Sequence, residues 1–105
     1  MSNYIIAYHG GEKPESTDAG NTQMAKWKTW IADLGDAVIN PGSPMGMSKI
    51  VSSMGVSDDD GSYTMSGFSI VQADSFDSAI DMATACPFLD TGGTLKVAEL
   101  MQVEM

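Results

Sequence analysis

Positive charge is scarce in this chain: 5 basic residues stand against 14 acidic ones, giving a net charge of −9. Phosphate backbones are held by clustered Lys and Arg, so this balance argues against a nucleic-acid partner and equally against anionic membrane surfaces. The surplus of carboxylates instead fits a solvated, soluble exterior. Cysteine occurs once, at Cys86, which excludes an intramolecular disulfide and agrees with a cytoplasmic location. One His and one Cys, far apart in sequence, cannot alone build a structural zinc site. No apolar run approaches the ~20 residues of a membrane span. The opening MSNYIIAYHGG lacks a basic start and a long apolar stretch, so no signal peptide is expected there. Gly10-Gly11 is not followed by the Gly-Lys-Ser/Thr of a phosphate loop. There is no repeat or low-complexity tract.

What is present suits one folded domain spanning 1–105. The apolar fraction is 43%, high enough for a packed globule, and the 9 methionines serve as adaptable core filler. The most legible stretch is Met65 to Pro87. Phe68, Ile70 and Val71 form a strand-like run. Asp74 is placed to cap a helix by accepting from the Asp77 N–H, and Asp77 favours the first turn through the helix dipole. Phe76, Ala79, Ile80 and Ala83 then share one helical face, and Pro87 ends the helix.

Earlier in the chain, Tyr4 to His9 reads as a strand with Tyr4, Ile6 and Tyr8 on one face and Ile5, Ala7 and His9 on the other. Both faces are largely apolar, as in a central strand. Gly10 to Gly20 reads as a long loop. A helix is expected over about Thr22 to Leu34, with Met24, Trp27, Trp30, Ile31 and Leu34 as its stripe and Gly35 as its C-terminal cap. Ala37 to Ile39 reads as a second strand, Met47 to Ser53 as an extended segment, and Val56 to Tyr63 as a turn centred on Asp60-Gly61. Thr94 to Val103 is the last strand. The order is βαββαβ, so the expected fold class is α+β, ferredoxin-like, with an antiparallel sheet carrying both helices on one face. Two helices cannot shelter both apolar faces, and a second copy of the chain, giving a homodimer, is the simplest cover.

With that order in place, the sequence resembles the YCII-related superfamily, in its DGPF-motif branch. Tyr4 to Tyr8 resembles the family's opening strand, and Trp27 to Gly35 its first helix. Asp60-Gly61-Ser62-Tyr63 stands where the branch has Asp-Gly-Pro-Phe. Gly67 to Val71 resembles its Gly-aromatic strand, and Asp74 to Pro87 its second helix with terminal Cys-Pro. The resemblance implies a dimeric α/β barrel with facing sheets and relatives that look like small lyases, isomerases or dehalogenases; no cofactor is expected. It also implies a His–Asp active pair. Here the histidine's position is held by Met24, which cannot move protons, while Asp33 matches the acidic partner, so the pair does not carry over intact.

His9 is therefore the acid–base candidate, with Asp33 beside it in the catalytic set. It sits at a strand end running into Gly10-Gly11, a common place for sites, and its intrinsic pKa lies near neutrality; the other reading is a hydrogen-bonded or exposed strand-end histidine. Tyr8, Trp27, Trp30 and Asp90 are the ligand-binding candidates. Sheet packing accounts for at least one tryptophan, leaving the other to line a pocket. Asp90 precedes Gly92-Gly93 and serves either a pocket mouth or a turn. Asp58-Asp59-Asp60-Gly61 lacks the calcium-loop spacing, since position 1 would be Val56. Cys86, before Pro87, reads as buried and inert rather than as a nucleophile paired with His9. The function expected is binding of a small organic molecule in a cleft between sheet and helices, with lyase- or isomerase-type chemistry attached to it. The alternative is a non-catalytic dimeric interaction module.

Overall fold

The structure is a computed structural model that describes residues 1–11, 16–58 and 65–101. Its elements run β1 (Ser2–His9), α1 (Thr17–Leu34), β2 (Val38–Asn40), β3 (Lys49–Ser52), β4 (Gly55–Asp58), β5 (Gly67–Ala73), α2 (Phe76–Thr84) and β6 (Thr94–Leu100), with short 3-10 turns at Gly35–Ala37 and Pro87–Thr91. β2, β5, β1 and β6 form a four-stranded sheet in that order, and every pairing in it is antiparallel. This is the α+β, ferredoxin-like arrangement that the order of elements implies. The expected extended segment at Met47 to Ser53 does not join that sheet. Its β3 part pairs with β4 in a separate two-stranded hairpin.

The sheet's two faces follow directly from the register. Tyr4, Ile6 and Tyr8 lie level with Val71, Ser69 and Gly67 on one side and with Glu99, Val97 and Leu95 on the other. This face receives the helices, and its core gathers Tyr4, Ile6, Tyr8, Trp30, Val71, Ala79, Ala83 and Cys86. The opposite face carries Asn3, Ile5, Ala7 and His9 with Gln72, Ile70, Phe68, Leu100, Ala98, Lys96 and Thr94. Among the described residues it bears no acidic residue, in a chain that has 14.

α1 begins five residues earlier than its apolar stripe indicates. Ser16 is the N-cap, its hydroxyl accepting from the Ala19 N–H at 3.1 Å, which satisfies one of the first turn's orphan donors. The helix ends at Gly35, whose φ is +57° and whose N–H donates to the Ile31 carbonyl. α2 is capped by Ser75, not Asp74: the Ser75 side chain accepts from the Ser78 N–H at 3.1 Å. The stripe of α2 is also rotated. Ala79 and Ala83 are buried with Met82 packed beside them, whereas Ile80 is 37% exposed. Two alanines against the sheet let the helix approach closely, and Ile80 falls off that line.

A hairpin that the sequence pattern does not announce lies before Asp60-Gly61. β3 and β4 close around Ser53 and Met54, with Ser52 opposite Gly55 and the Ser52 hydroxyl accepting from the Met54 N–H at 3.2 Å. Val56 to Asp58, part of the expected turn, is therefore strand within β4. The Asp-Gly-Ser-Tyr segment at 60–63 lies outside the described residues. The molecule is flat, 44 × 44 × 18 Å, with a radius of gyration of 15.2 Å, against about 13 Å for a compact chain of this size.

Candidate functional site

The carboxyl end of β1 brings Tyr8 under the middle of α1, at Trp27. Its ring packs edge-to-face on Trp27 at 5.3 Å and tilts against Phe88 at 5.2 Å. Trp27 in turn meets Trp30 edge-to-face at 5.4 Å. Such perpendicular contacts add to burial because the positive ring edge meets the negative ring face. Phe88 is held by glycine: a Cβ on Gly93 would stand 2.1 Å from its ring.

This aromatic corner forms one side of a recess of about 340 Å³, closed by Met24 and Ile31 from α1, by the Pro41–Pro44 loop and by the Ser66–Phe68 segment. The loop is fixed from within. The Tyr8 hydroxyl donates to the Ser69 hydroxyl at 2.6 Å, which donates onward to the Pro41 carbonyl at 2.7 Å. The Gly42 N–H is taken by the Asn40 side-chain carbonyl at 2.8 Å. Gly42 has φ +76°, and a Cβ there would stand 1.6 Å from the Phe68 carbonyl oxygen, so only glycine lets the loop lie on β5. The Met45 N–H donates to Ser66, and the Ser66 N–H donates to the Tyr8 carbonyl.

Burial pushes the Tyr8 hydroxyl well above its ordinary value, with the Ser69 hydrogen bond opposing only in part. Burial likewise raises the Cys86 thiol. Both are neutral at physiological pH, so neither is a ready nucleophile or base. Cys86 is 3% exposed, as its place before Pro87 suggests.

The site candidates separate into three places. Tyr8 and Trp27 line the recess, together with Met24. Trp30, Asp33 and Asp90 lie instead along a groove of about 530 Å³ between α1 and the Pro87–Thr91 turn. There Trp30 is 5% exposed and its indole N–H donates to the Met82 carbonyl at 3.0 Å, while Asp90 pairs with Lys26 at 3.2 Å. His9 stands on the opposite face of the sheet, level with Thr94. Within one chain, then, His9 and Asp33 are on different sides of the sheet and do not form a pair. The Pro41–Pro44 loop, Ile31 and Phe88 were not legible as site residues. The Pro-Gly-Ser-Pro run marks only a chain break, and nothing local says that it folds back over β5. No group of three or more metal-ligating side chains comes together among the described residues, and no described helix is long and apolar enough to cross a membrane.

A ferredoxin-like sheet with both helices on one face and an aromatic recess at the helix–sheet junction defines the class by its fold. No family model and no curated protein matches the chain. Among solved structures, the chain is similar to the 5-chloro-2-hydroxyhydroquinone dehydrochlorinase of Burkholderia phenoliruptrix, solved in complex with 2,5-dihydroxybenzoquinone. The TM-score is 0.59 and the identity 16%, over 96% of this chain and 95% of that one. At that identity the shared property is the fold.

Proposed function

We propose that the protein binds a small organic molecule in the recess between α1 and the end of β1, and that it works as a homodimer of the YCII-related, DGPF-motif type in the cytoplasm. One observation carries the binding reading: three aromatic side chains, Tyr8, Trp27 and Phe88, meet at a recess of about 340 Å³, within the size range of small-molecule sites. The dehydrochlorinase of the same fold, solved with a one-ring dihydroxyquinone, supports a ligand of that size and a lyase-type reaction on it. The homodimer is supported by the flat shape and by the sheet face away from the helices, which bears no carboxylate among the described residues and where Ile5, Phe68 and Ile70 are only half-buried. It is supported too by the β3–β4 hairpin, since a lone two-stranded hairpin is marginal in water.

Trp27 makes the binding test direct. A ligand in the recess quenches tryptophan fluorescence and raises the melting temperature, and Trp27→Ala abolishes binding while retaining the circular dichroism of the fold. Equal binding by Trp27→Ala overturns the assignment. A second reading places acid–base chemistry on the other face, where sheet-to-sheet pairing would enclose His9. Its test is His9→Ala: turnover unchanged by that variant removes His9 from the mechanism. A protein that binds no small molecule but remains dimeric is an interaction module instead.

A further inference from the structure

We propose that the recess selects ring compounds in their uncharged form and rejects the corresponding anions. The inference rests on the reading of the recess as a ligand site and adds the charge state of what enters it.

The lining holds no Asp, Glu, Lys, Arg or His among the described residues. An anion placed there would lose its hydration without gaining a counter-ion. Fixed hydrogen-bond donors could replace the missing cation, but most of the described donors around this recess are already committed, leaving the Trp27 indole N–H and the Ser43 hydroxyl. The Tyr8 hydroxyl points its proton at Ser69, and Ser69 points its own at the Pro41 carbonyl. The Gly42 N–H goes to Asn40, the Met45 N–H to Ser66, and the Ser66 N–H to the Tyr8 carbonyl. Pro41 and Pro44 have no N–H to offer. Lys26, the residue before Trp27, belongs to the other groove and is paired with Asp90. Around this wall the whole chain carries −9, which lowers the local concentration of any anion. What remains is aromatic and aliphatic surface with two neutral polar groups, the Ser43 hydroxyl and the Trp27 indole N–H; these can hydrogen-bond a phenolic hydroxyl but supply no charge to offset the desolvation of a phenolate.

One compound can be toggled between the two states. A nitrophenol whose hydroxyl ionises near neutrality is titrated into the wild-type protein below and above that point, by calorimetry. Its methyl ether, which cannot ionise, serves as the control for any change in the protein itself, His9 included. The expected result is equal affinity of the ether at both pH values and a loss of nitrophenol affinity of about tenfold or more on ionisation, each factor of ten being ~1.4 kcal/mol. Trp27→Ala removes binding of both neutral compounds. Nitrophenolate binding as tightly as nitrophenol, with the ether still bound, overturns the charge selectivity and leaves the ligand site standing. Failure of both compounds to bind, or undiminished binding of both by Trp27→Ala, overturns the ligand site and the selectivity together.

Discussion

The four-stranded sheet with its helices and the β3–β4 hairpin are built from similar residues but bury them very differently. In the body, Ile6 and Val71 are fully buried and Tyr4, Tyr8 and Trp30 nearly so. In the hairpin, Val51 is 76% exposed, Val56 69% and Met54 94%. The same β-branched side chains that fill a core in one region face outward in the other. Apolar pattern alone therefore reports that a segment wants cover, and topology decides whether its own chain supplies it. The helix-bearing side of the body completes its hydrophobic contacts internally. The hairpin does not.

The sharpest test of this contrast substitutes one residue of each region. Ile6→Ala deletes buried methyl and methylene groups from the centre of the body and is expected to cost about 3 kcal/mol, read from urea denaturation. Val51→Ser with Val56→Ser should leave the unfolding of the body within ~0.5 kcal/mol and weaken self-association roughly tenfold or more, about 1.4 kcal/mol, by sedimentation velocity. Comparable losses of body stability from the hairpin pair would erase the distinction. Ser69→Ala comes next, at about 1–2 kcal/mol, because it strands the buried Tyr8 hydroxyl and frees the Pro41 carbonyl; it should also loosen ligand affinity, since the loop is part of the recess wall. The smallest effect expected is that of Lys26→Ala. Both partners of its ion pair with Asp90 are more than half exposed, and the change should stay below ~1 kcal/mol and fade with salt.

Alkaline pH separates the regions in another way. The folded-state pKa of Tyr8 lies above its ordinary value of 10.0. Its contribution to stability is complete below pH 10, where folded and unfolded chains both hold the proton, and is lost progressively above it, as the unfolded chain ionises first. Circular dichroism of the body should decline in that window. Tyr8→Phe, weaker at neutral pH for want of the hydroxyl, should lose less of its stability there.

Much of the body was legible because its signals are local. Alternation in Tyr4 to Tyr8, the spacing of Trp27, Trp30, Ile31 and Leu34, and the Cys86-Pro87 stop each mark an element within a few residues. The first turns of α1 were not, since Thr17, Asp18 and Gly20 carry no stripe and only the Ser16 cap announces them. The choice of Ser75 over Asp74 as cap depends on which residue is extended at the turn, a backbone property that both side chains would suit. The separation of His9 from Asp33, and of Trp27 from Trp30, depends on which side of a strand and which side of a helix meet. Spacing of three places both tryptophans on the same stripe without saying that one fills the core and the other faces a recess.

The sheet face away from the helices, free of carboxylates among the described residues, affects how the protein behaves in concentrated solution. Repulsion between acidic molecules falls mainly on the surfaces that carry the acids, so two copies can approach through this face with little opposition of their own making. Ionic strength should then govern how well the protein stays dispersed far more than it governs contacts made across that sheet.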